Sequence, residues 1–222
     1  MLDTLPVHQS PDQSRSSGPW EVTAAVVLAA GASSRMGQPK QLLPWGSTTL
    51  LGAVVDRLCG AQIDEVVVVL GSQACAVRNS LRSQPVVTVV NPNWTDGMLS
   101  SVQTGLRALK SRPAAIAIAL GDQPGAPAEL IDELFFTQRK TPGNIVIPRV
   151  GGRRGHPVVF DGSYVDELLA LGADATLRDV VERNRERVVY VAWADQRQLD
   201  DLDTPEDYAR ALARAQEGAT ST

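Results

Sequence analysis

A run of small residues followed by two spaced cations ends the first apolar stretch of the chain. Residues 26–29 lead into Ala30 and Gly31, and Arg35 and Lys40 follow. Small side chains let a ligand approach the main chain, and successive backbone N–H groups in such a loop bind anions. A guanidinium binds phosphate oxygens as a planar fork, whereas a lysine ammonium adds a compact charge. These residue types in this order predict a phosphate-binding loop.

Two familiar phosphate-binding patterns do not fit this segment. Gly31 and Gly37 do not have the G-x-G-x-x-G spacing, and no Gly-Lys-Ser or Gly-Lys-Thr follows the strand. The sequence therefore disfavours a Rossmann dinucleotide loop and a Walker P-loop. The alternative is an ordinary strand-to-helix turn with Arg35 and Lys40 in solvent, and the clustering of small residues and cations argues against it.

A second chemical signal ends the apolar run at residues 115–120. Residues 121–124 read Gly-Asp-Gln-Pro, so a carboxylate follows a strand rich in Ala and Ile. Mg2+ prefers hard oxygen ligands and usually takes one or two carboxylates together with substrate phosphates and water. Asp122 is therefore a candidate Mg2+ ligand. The alternative is an Asx turn, or the N-cap of a helix that begins near Pro127.

Residues 199–207 hold a second group of carboxylates and read Leu-Asp-Asp-Leu-Asp-Thr-Pro-Glu-Asp. Part of this segment has a local explanation, because Thr204 followed by Pro205, with Asp207 three residues after Thr204, is typical of a helix N-terminus. Three acids lie just before that pattern. Repulsion between neighbouring carboxylates is a reason to expect a cation there.

Polar and flexible residues also follow two other strands. Residues 91–106 enter a helix at Ser100 and Ser101. The hydroxyls and free N–H groups there can bind the edge of a pyrimidine. The alternative is that one of the two serines caps the helix. Residues 151–158 read Gly-Gly-Arg-Arg-Gly-His-Pro-Val, and the two arginines suit a phosphorylated acceptor. His156 is either a pocket residue or a hydrogen-bonded hairpin residue.

Apolar runs alternate with amphipathic stretches between these motifs. The sequence predicts strands at residues 24–29, 65–70, 86–90, 115–120, 144–148, 157–160 and 187–192. It predicts helices at residues 50–58, 74–81, 99–109 and 128–138, and a last helix from residue 204 through residue 212. Continuous Val, Ile, Leu and Ala runs are typical of parallel strands covered on both faces, and ligands bind at the carboxyl ends of such strands. We therefore expect a single-domain, three-layer α/β/α fold with a mostly parallel, doubly wound, Rossmann-like sheet.

The composition fits one compact domain. The chain has 222 residues, 43% of them hydrophobic, and a net charge of -4 without a basic block, which disfavours nucleic acid and membrane partners. The sequence has no membrane-length apolar run and no signal-peptide pattern, so we expect a cytoplasmic protein. Cys59 and Cys75 lack C-x-x-C spacing and are expected to be idle thiols in helices. We expect a disordered leader at residues 1–20, one domain at 21–216 and a disordered tail at 217–222.

The segment from Leu28 to Pro44 resembles the signature of a known enzyme family. Its fixed residues read Leu-Ala-Ala-Gly-x-Ser-x-Arg-Met-Gly-x-x-Lys-x-Leu-Leu-Pro, similar to the nucleotidyltransferases of molybdenum cofactor synthesis. The resemblance is closest to the molybdenum cofactor cytidylyltransferases, which join CMP from CTP to molybdopterin. The guanylyltransferases that make molybdopterin-guanine dinucleotide are near relatives. The resemblance covers about residues 24–212 and implies a GT-A type nucleotidyltransferase fold with a Mg2+ cofactor.

The resemblance also implies roles for the residues that match the family motifs. The implied nucleotide site consists of Leu28, Ala29, Ala30, Gly31, Arg35, Lys40, Gly97 and Ser101, the last two at the base. The implied acceptor site contains His156 and Arg178. The implied metal site joins Asp122 to Asp203, which matches an Asp-x-Asp-Thr-Pro segment, and Asp201 is the second choice. Arg35, Lys40 and Asp122 are the expected catalytic residues.

These roles predict transfer of a nucleotide. The acceptor phosphate attacks the α-phosphorus of a nucleoside triphosphate, with CTP favoured, while Arg35, Lys40 and Mg2+ neutralise the charge that develops on the leaving pyrophosphate. An acceptor that is a phosphate monoester is mostly deprotonated near pH 7, because its second pKa is about 6, so no general base is needed. The expected partners are the triphosphate, a phosphorylated small molecule and, by resemblance, a molybdoenzyme or its chaperone.

One departure from the family pattern leaves the acceptor open. Residues 172–178 read Gly-Ala-Asp-Ala-Thr-Leu-Arg, where relatives often have Gly-Asp-x-Gly-Ala-Arg. Thr176 and Leu177 replace smaller residues, and their added volume could reshape an acceptor pocket made for a pterin. Asp174 and Arg178 stay in register with the family pattern. The first alternative is guanylyl or other nucleotidyl transfer to a different phosphorylated acceptor. The second is a non-catalytic nucleotide-binding protein or an oxidoreductase on the same scaffold.

Overall fold

The computed structural model describes residues 22–33, 36–194, 202 and 204–219. The strands within these ranges are β1 (Thr23–Ala29), β2 (Pro44–Trp45), β3 (Thr48–Thr49), β4 (Glu65–Leu70), β5 (Val87–Val90), β6 (Ala115–Leu120), β7 (Ile145–Val150), β8 (Arg153–Arg154), β9 (Val158–Asp161) and β10 (Val188–Trp193). The helices are α1 (Leu50–Gly60), α2 (Ala74–Ser80), α3 (Met98–Arg107), α4 (Ala128–Lys140), α5 (Val165–Ala170), α6 (Leu177–Arg183) and α7 (Pro205–Ala219). Every predicted strand and helix is present.

A mostly parallel sheet forms the centre of the molecule, as predicted. Its main strands follow the order β5-β4-β1-β6-β9-β7-β10, and β8 pairs with β7. β1 is parallel to β4 and to β6, and β10 is parallel to β7, whereas β9 is antiparallel to both of its neighbours. Only residues 151–157 separate β7 from β9. A parallel return needs a crossover of a dozen or more residues, so a connection this short makes β9 antiparallel.

Helices cover both faces of the sheet, which confirms the three-layer arrangement. The alternation along β1 sends Val27 to the side of α1, α2 and α4 and Val26 to the side of α3, α5 and α6. Both residues are fully buried. Two apolar faces explain why the strands are continuous runs of Val, Ile, Leu and Ala.

The last helix packs beside the small β2–β3 hairpin instead of on the sheet. Leu202 and Ala211 lie in one buried cluster with Met36, Leu43 and Leu50. The predicted cap at the start of α7 is confirmed, because Thr204 Oγ1 donates to Asp207 Oδ2 at 2.8 Å and the Asp207 N–H donates back to Thr204 Oγ1 at 3.2 Å. α7 continues to Ala219, into the segment that we expect to be a tail, and the leader at residues 1–20 lies outside the described residues.

Several short elements were not predicted from the sequence. They are the β2–β3 hairpin, β8, α5 and α6. α6 begins with a capping box in which Thr176 Oγ1 accepts from the Asp179 N–H and Asp179 Oδ2 accepts from the Thr176 N–H. Thr176, which departs from the family pattern, therefore has a structural role at this helix N-terminus.

Asp161 joins β9 to α4 through a partly buried polar network. Its Oδ2 accepts from Gln138 Nε2 at 2.7 Å and from the Gly143 N–H at 2.9 Å, and its Oδ1 accepts from the Ser163 N–H at 2.9 Å. Burial alone would raise the pKa of the Asp161 carboxyl, but the hydrogen bonds from Gly143, Ser163 and Gln138 outweigh it and lower the pKa.

The two cysteines lie in helices, as predicted. Cys59 is half-buried in α1, and Cys75 is exposed in α2. Burial, and after it the charge of Asp56, raises the pKa of the Cys59 thiol, which disfavours the reactive thiolate. None of the helices in the described part of the chain has the length and apolar character needed to cross a membrane.

Candidate active site

A cavity of about 550 Å³ opens at the carboxyl ends of β1 and β6, beside the first turn of α3. The loop after β1, the turn at Lys40, the start of α3 and the end of β6 all line it. Its lining residues are Leu28, Ala29, Ala30, Gly31, Ser33, Lys40, Gln41, Trp94, Thr95, Gly97, Met98, Ser101, Leu120, Gly121 and Asp122. This is the edge of a parallel sheet at which ligands bind. Most residues that the sequence analysis assigned to the nucleotide therefore lie around one cavity.

Gln41 holds the loop after β1 in its shape. Its side chain is buried, with 6% exposed, and its Nε2 donates to the carbonyl oxygens of Ala29 at 3.1 Å and Gly31 at 3.0 Å. Ser33, with a positive φ of 54°, accepts from the Lys40 N–H at 3.0 Å through its Oγ. The sequence analysis missed Gln41, because a glutamine inside a Lys-x-Leu-Leu pattern carries no local signal of a long-range contact. The predicted cation Arg35 lies outside the described residues.

Lys40 and Asp122 meet at the cavity, although they are far apart in the chain. Lys40 Nζ lies 3.5 Å from Asp122 Oδ2, and their side chains are 10% and 38% exposed. The Gly121 N–H donates to the Leu28 carbonyl at 3.0 Å, which ties the end of β6 to the end of β1. α4 begins at Ala128 with Pro127 at its N-cap, so Asp122 does not cap that helix. A half-exposed carboxylate beside a mostly buried ammonium is thus available to a ligand in the cavity.

The first turn of α3 supplies the opposite wall. Gly97 is the N-cap residue with a φ of 102°, a conformation that favours glycine, and it makes no side-chain cap. α3 begins at Met98, so Ser100 and Ser101 lie inside its first turn, and neither occupies the N-cap position. Ser101 is 4% exposed and faces the cavity, where its Oγ accepts from Asn91 Nδ2 at 3.0 Å.

Trp94 is a cavity residue that the sequence analysis did not assign. It packs into the notch left by Gly71, where an added Cβ would lie 2.7 Å from Trp94 Cγ and 2.6 Å from the Ala30 carbonyl oxygen. Together with Met98, which is 54% exposed, Trp94 gives the cavity an apolar side. Apolar and aromatic surface of this kind suits a planar ring.

The two residues assigned to the acceptor lie apart from this cavity. His156 is half-buried and lines a separate small cavity of about 10 Å³ together with Leu120 and Gln123, beside the end of β6. Arg178 is exposed in α6. Neither is among the described residues that line the 550 Å³ cavity. Arg154 of the predicted cationic segment pairs with Glu182 at 2.9 Å.

The second predicted metal ligand cannot be located, because Asp203 and its alternative Asp201 both lie outside the described residues. Leu202 between them is 1% exposed and packs with Met36 and Leu43. That contact places Leu202 beside the segment that follows β1. Among the residues that the structure describes, no three His, Cys, Asp or Glu side chains are grouped in a way that could hold a metal ion.

Comparison with known proteins shows which family the chain belongs to. Residues 25–188 match the model of the MobA-like NTP transferase domain. The chain belongs to the MobA-like NTP transferase family. The predicted family of nucleotidyltransferases is therefore confirmed, and so is the resemblance carried by the motif at residues 28–44.

The relatives that this chain resembles carry names of different activities. A nicotine blue oxidoreductase of Paenarthrobacter nicotinovorans is 34% identical over 197 residues, which are 84% of this chain and 95% of that protein. A molybdenum cofactor guanylyltransferase of Mesorhizobium japonicum is 32% identical over 209 residues, with 89% and 98% covered. A molybdenum cofactor cytidylyltransferase of Escherichia coli is 24% identical over 193 residues, with 85% and 95% covered.

Solved structures of similar proteins share the fold. The crystal structure of Rv0371c from Mycobacterium tuberculosis has a TM-score of 0.77 and 32% identity, and the match covers 87% of this chain and 98% of that one. A structure of the same protein in complex with manganese has a TM-score of 0.72 at 32% identity, with 87% and 99% covered.

Proposed function

We propose that the protein transfers CMP from CTP to a phosphorylated small molecule, molybdopterin first among the candidates, and releases pyrophosphate. One observation carries the nucleotidyl transfer in this proposal. An ammonium and a carboxylate, Lys40 and Asp122, lie 3.5 Å apart at the edge of a nucleotide-sized cavity of about 550 Å³. A cation for phosphates and a hard oxygen ligand for a metal are the two groups that nucleotidyl transfer requires.

The donor phosphates are proposed to bind along the loop after β1. Ala29, Ala30 and Gly31 leave its backbone accessible, and Gln41 satisfies two of its carbonyl oxygens by hydrogen bonds. Lys40 then exchanges its contact with Asp122 for a contact with the phosphates. Arg35 is proposed as the second cation on the leaving pyrophosphate, because a guanidinium fork matches phosphate geometry.

The residues present fit a divalent metal. Asp122 offers an oxygen ligand with 38% of its side chain exposed, and Mg2+ commonly binds through one or two carboxylates together with substrate phosphates and water. When bound, the ion would add positive charge at the α- and β-phosphates. Asp203 is proposed as the second ligand, with Asp201 as the alternative, and the packing of Leu202 against Met36 supports this assignment. The manganese complex of Rv0371c, a relative at 32% identity, also supports a divalent cation.

The base and the acceptor are assigned by resemblance. Ala29-Ala30-Gly31, Leu43-Pro44-Trp45 and Gln123 resemble the cytidylyltransferase branch, which favours CTP over GTP. Gly97 and Ser101 are proposed to contact the base. His156 and Arg178 are proposed to face the acceptor, because both match the residues that the family motifs assign to it. The acceptor phosphate would attack as its dianion, without a basic side chain.

A second candidate function rests on one relative. The nicotine blue oxidoreductase is 34% identical, so an oxidoreductase on this scaffold is the competing proposal. The loop after β1 lacks the G-x-G-x-x-G spacing of dinucleotide-binding enzymes, and Lys40 and Asp122 have evident uses in phosphate chemistry. These features favour nucleotide transfer.

The deciding experiment supplies purified protein and Mg2+ with each of the four labelled nucleoside triphosphates, with and without molybdopterin, and measures pyrophosphate release. CTP-dependent release that requires molybdopterin supports the proposal, and release from GTP moves it to the guanylyl alternative. In a parallel reaction to which a reduced nicotinamide cofactor is added, consumption of that cofactor without any release of pyrophosphate would overturn the proposal. An Asp122→Ala variant should lose release at least about 100-fold and still unfold cooperatively. The matched control is Asp166→Ala, because Asp166 also pairs with a cation, Arg112 at 2.9 Å, but lies away from the cavity on α5.

A further inference from the structure

Asn91 sits behind the wall of the cavity and makes three hydrogen bonds that fix the direction of its amide. It follows β5 and is only 2% exposed. The Asn93 N–H, which can only donate, lies 2.9 Å from Asn91 Oδ1. The oxygen of the amide must therefore face Asn93, and its nitrogen must face the two serines of α3. Nδ2 donates to Ser100 Oγ at 2.8 Å and to Ser101 Oγ at 3.0 Å.

The hydroxyl hydrogens of Ser100 and Ser101 differ in whether the protein provides an acceptor for them. Ser100 Oγ donates to the carbonyl oxygens of Gly97 at 2.8 Å and Asn93 at 3.0 Å, so its hydrogen is already used inside the protein. Ser101 Oγ accepts from Asn91, and within the described part of the chain no acceptor faces its hydrogen. Ser101 is 4% exposed and lines the 550 Å³ cavity. A buried hydroxyl with one role occupied offers the other role to a ligand.

We infer that Asn91 is a positioning residue that makes Ser101 a hydrogen-bond donor toward the nucleobase. The ligand atom that receives the Ser101 hydrogen is then an acceptor, a ring carbonyl oxygen or a ring nitrogen. The neighbouring cavity residues Leu28, Trp94 and Met98 are apolar, which suits a base better than a phosphate. This inference rests on the proposed function, because it takes the cavity to hold a nucleoside triphosphate.

The test measures binding apart from turnover. Dissociation constants for CTP, GTP and inorganic tripolyphosphate are determined with Mg2+ for the wild type, Ser101→Ala, Ser100→Ala, Asn91→Leu and the double variant Asn91→Leu/Ser101→Ala. Losing one hydrogen bond should raise the Kd of the preferred nucleotide about ten-fold in Ser101→Ala, with tripolyphosphate affinity unchanged. Asn91→Leu should also raise the Kd of the nucleotide, and this increase should vanish when Ser101 is already Ala. Ser100→Ala is the matched control and should bind like the wild type.

Three results would overturn the inference. They are an unchanged nucleotide affinity in Ser101→Ala, an equal loss for tripolyphosphate, and an Asn91→Leu effect that persists in full when Ser101 is Ala. Should Asn91→Leu fail to fold in a thermal melt, the comparison of Ser101→Ala with Ser100→Ala still decides whether Ser101 donates to the base. Failure of the proposed function appears separately, as nucleotide binding with the expected Ser101 dependence but without pyrophosphate release.

Discussion

Replacing Gln41 by Leu removes the side chain that holds the loop after β1, at almost constant volume. The Gln41 amide donates to the carbonyl oxygens of Ala29 at 3.1 Å and Gly31 at 3.0 Å. In Gln41→Leu both carbonyls lose this donor and face an apolar group. We expect the variant to fold, to be less stable and to bind nucleotides weakly, because the same backbone segment lines the cavity.

The loss of stability follows from the burial of the two carbonyls. An unsatisfied buried polar group costs about 1–3 kcal/mol. The contact to Ala29 is buried and belongs near the middle of that range, whereas Gly31 is exposed and its carbonyl can regain a bond from water. The sum is about 3 kcal/mol, which corresponds to a fall in Tm of about 6–12 °C for a domain of this size.

The assay combines thermal unfolding with titration of a nucleoside triphosphate in the presence of Mg2+. The matched control is Gln138→Leu, because Gln138 is another buried glutamine, 4% exposed, that donates to Asp161 Oδ2 at 2.7 Å far from the cavity. Both variants should lose stability. Only Gln41→Leu should also raise the nucleotide Kd, by at least about ten-fold, since only Gln41 shapes the phosphate-binding loop.

Equal nucleotide affinities in Gln41→Leu and the wild type would refute this reasoning, because the loop would then keep its shape without the amide. A parallel loss of affinity in Gln138→Leu would refute it too, since the effect would then report general destabilisation.

Three further predictions concern single side chains. Gly71→Ala should lower the free energy of unfolding in urea by about 1–3 kcal/mol, because the added Cβ would lie under 3.0 Å from Trp94. The variant should also raise the KM for the triphosphate. An unchanged free energy of unfolding and an unchanged KM would contradict this packing. Lys40→Met should lower pyrophosphate release at least about 100-fold with little loss of stability, since the pair with Asp122 is partly exposed. Asp161 has a lowered pKa, so it stabilises the fold above its unfolded pKa of about 3.9 and loses that contribution as pH falls through the folded value. Urea midpoints between pH 2 and pH 7 should therefore depend less on pH in Asp161→Asn, and an unchanged acid slope would count against this assignment.

Periodicity and composition predicted every strand of the central sheet except the two-residue strand β8, because the longer strands have a strong local signal. β6 is an uninterrupted apolar run and β4 is apolar after its first residue, and both were predicted with their observed bounds, Glu65–Leu70 and Ala115–Leu120. α5 and α6 are six and seven residues long, too short for a clear helical period, and they were missed. The antiparallel direction of β9 follows from the short connection after β7, a length that the sequence does contain.

The cavity was predictable only in part. Lys40 and Asp122 have residue types that carry chemistry, and both follow strands, so their meeting at one edge of the sheet could be expected. Gln41 and Asn91 act through bonds to backbone or side chains that only the folded chain brings near. An amide residue gives no hint in the sequence of which carbonyl or hydroxyl it will contact, and so neither residue stood out before the structure was known.

The antiparallel strand β9 lies between two groups of parallel strands, β5-β4-β1-β6 on one side and β7-β10 on the other. All the residues that line the 550 Å³ cavity come from residues 28–122, which build β1, β4, β5 and β6, whereas β7 and β10 beyond β9 contribute none of the described lining. On the proposed assignment of His156 and Arg178 to the acceptor, exchanging residues 145–193 between relatives should change the acceptor and leave nucleotide binding, which relies on residues 28–122, in place.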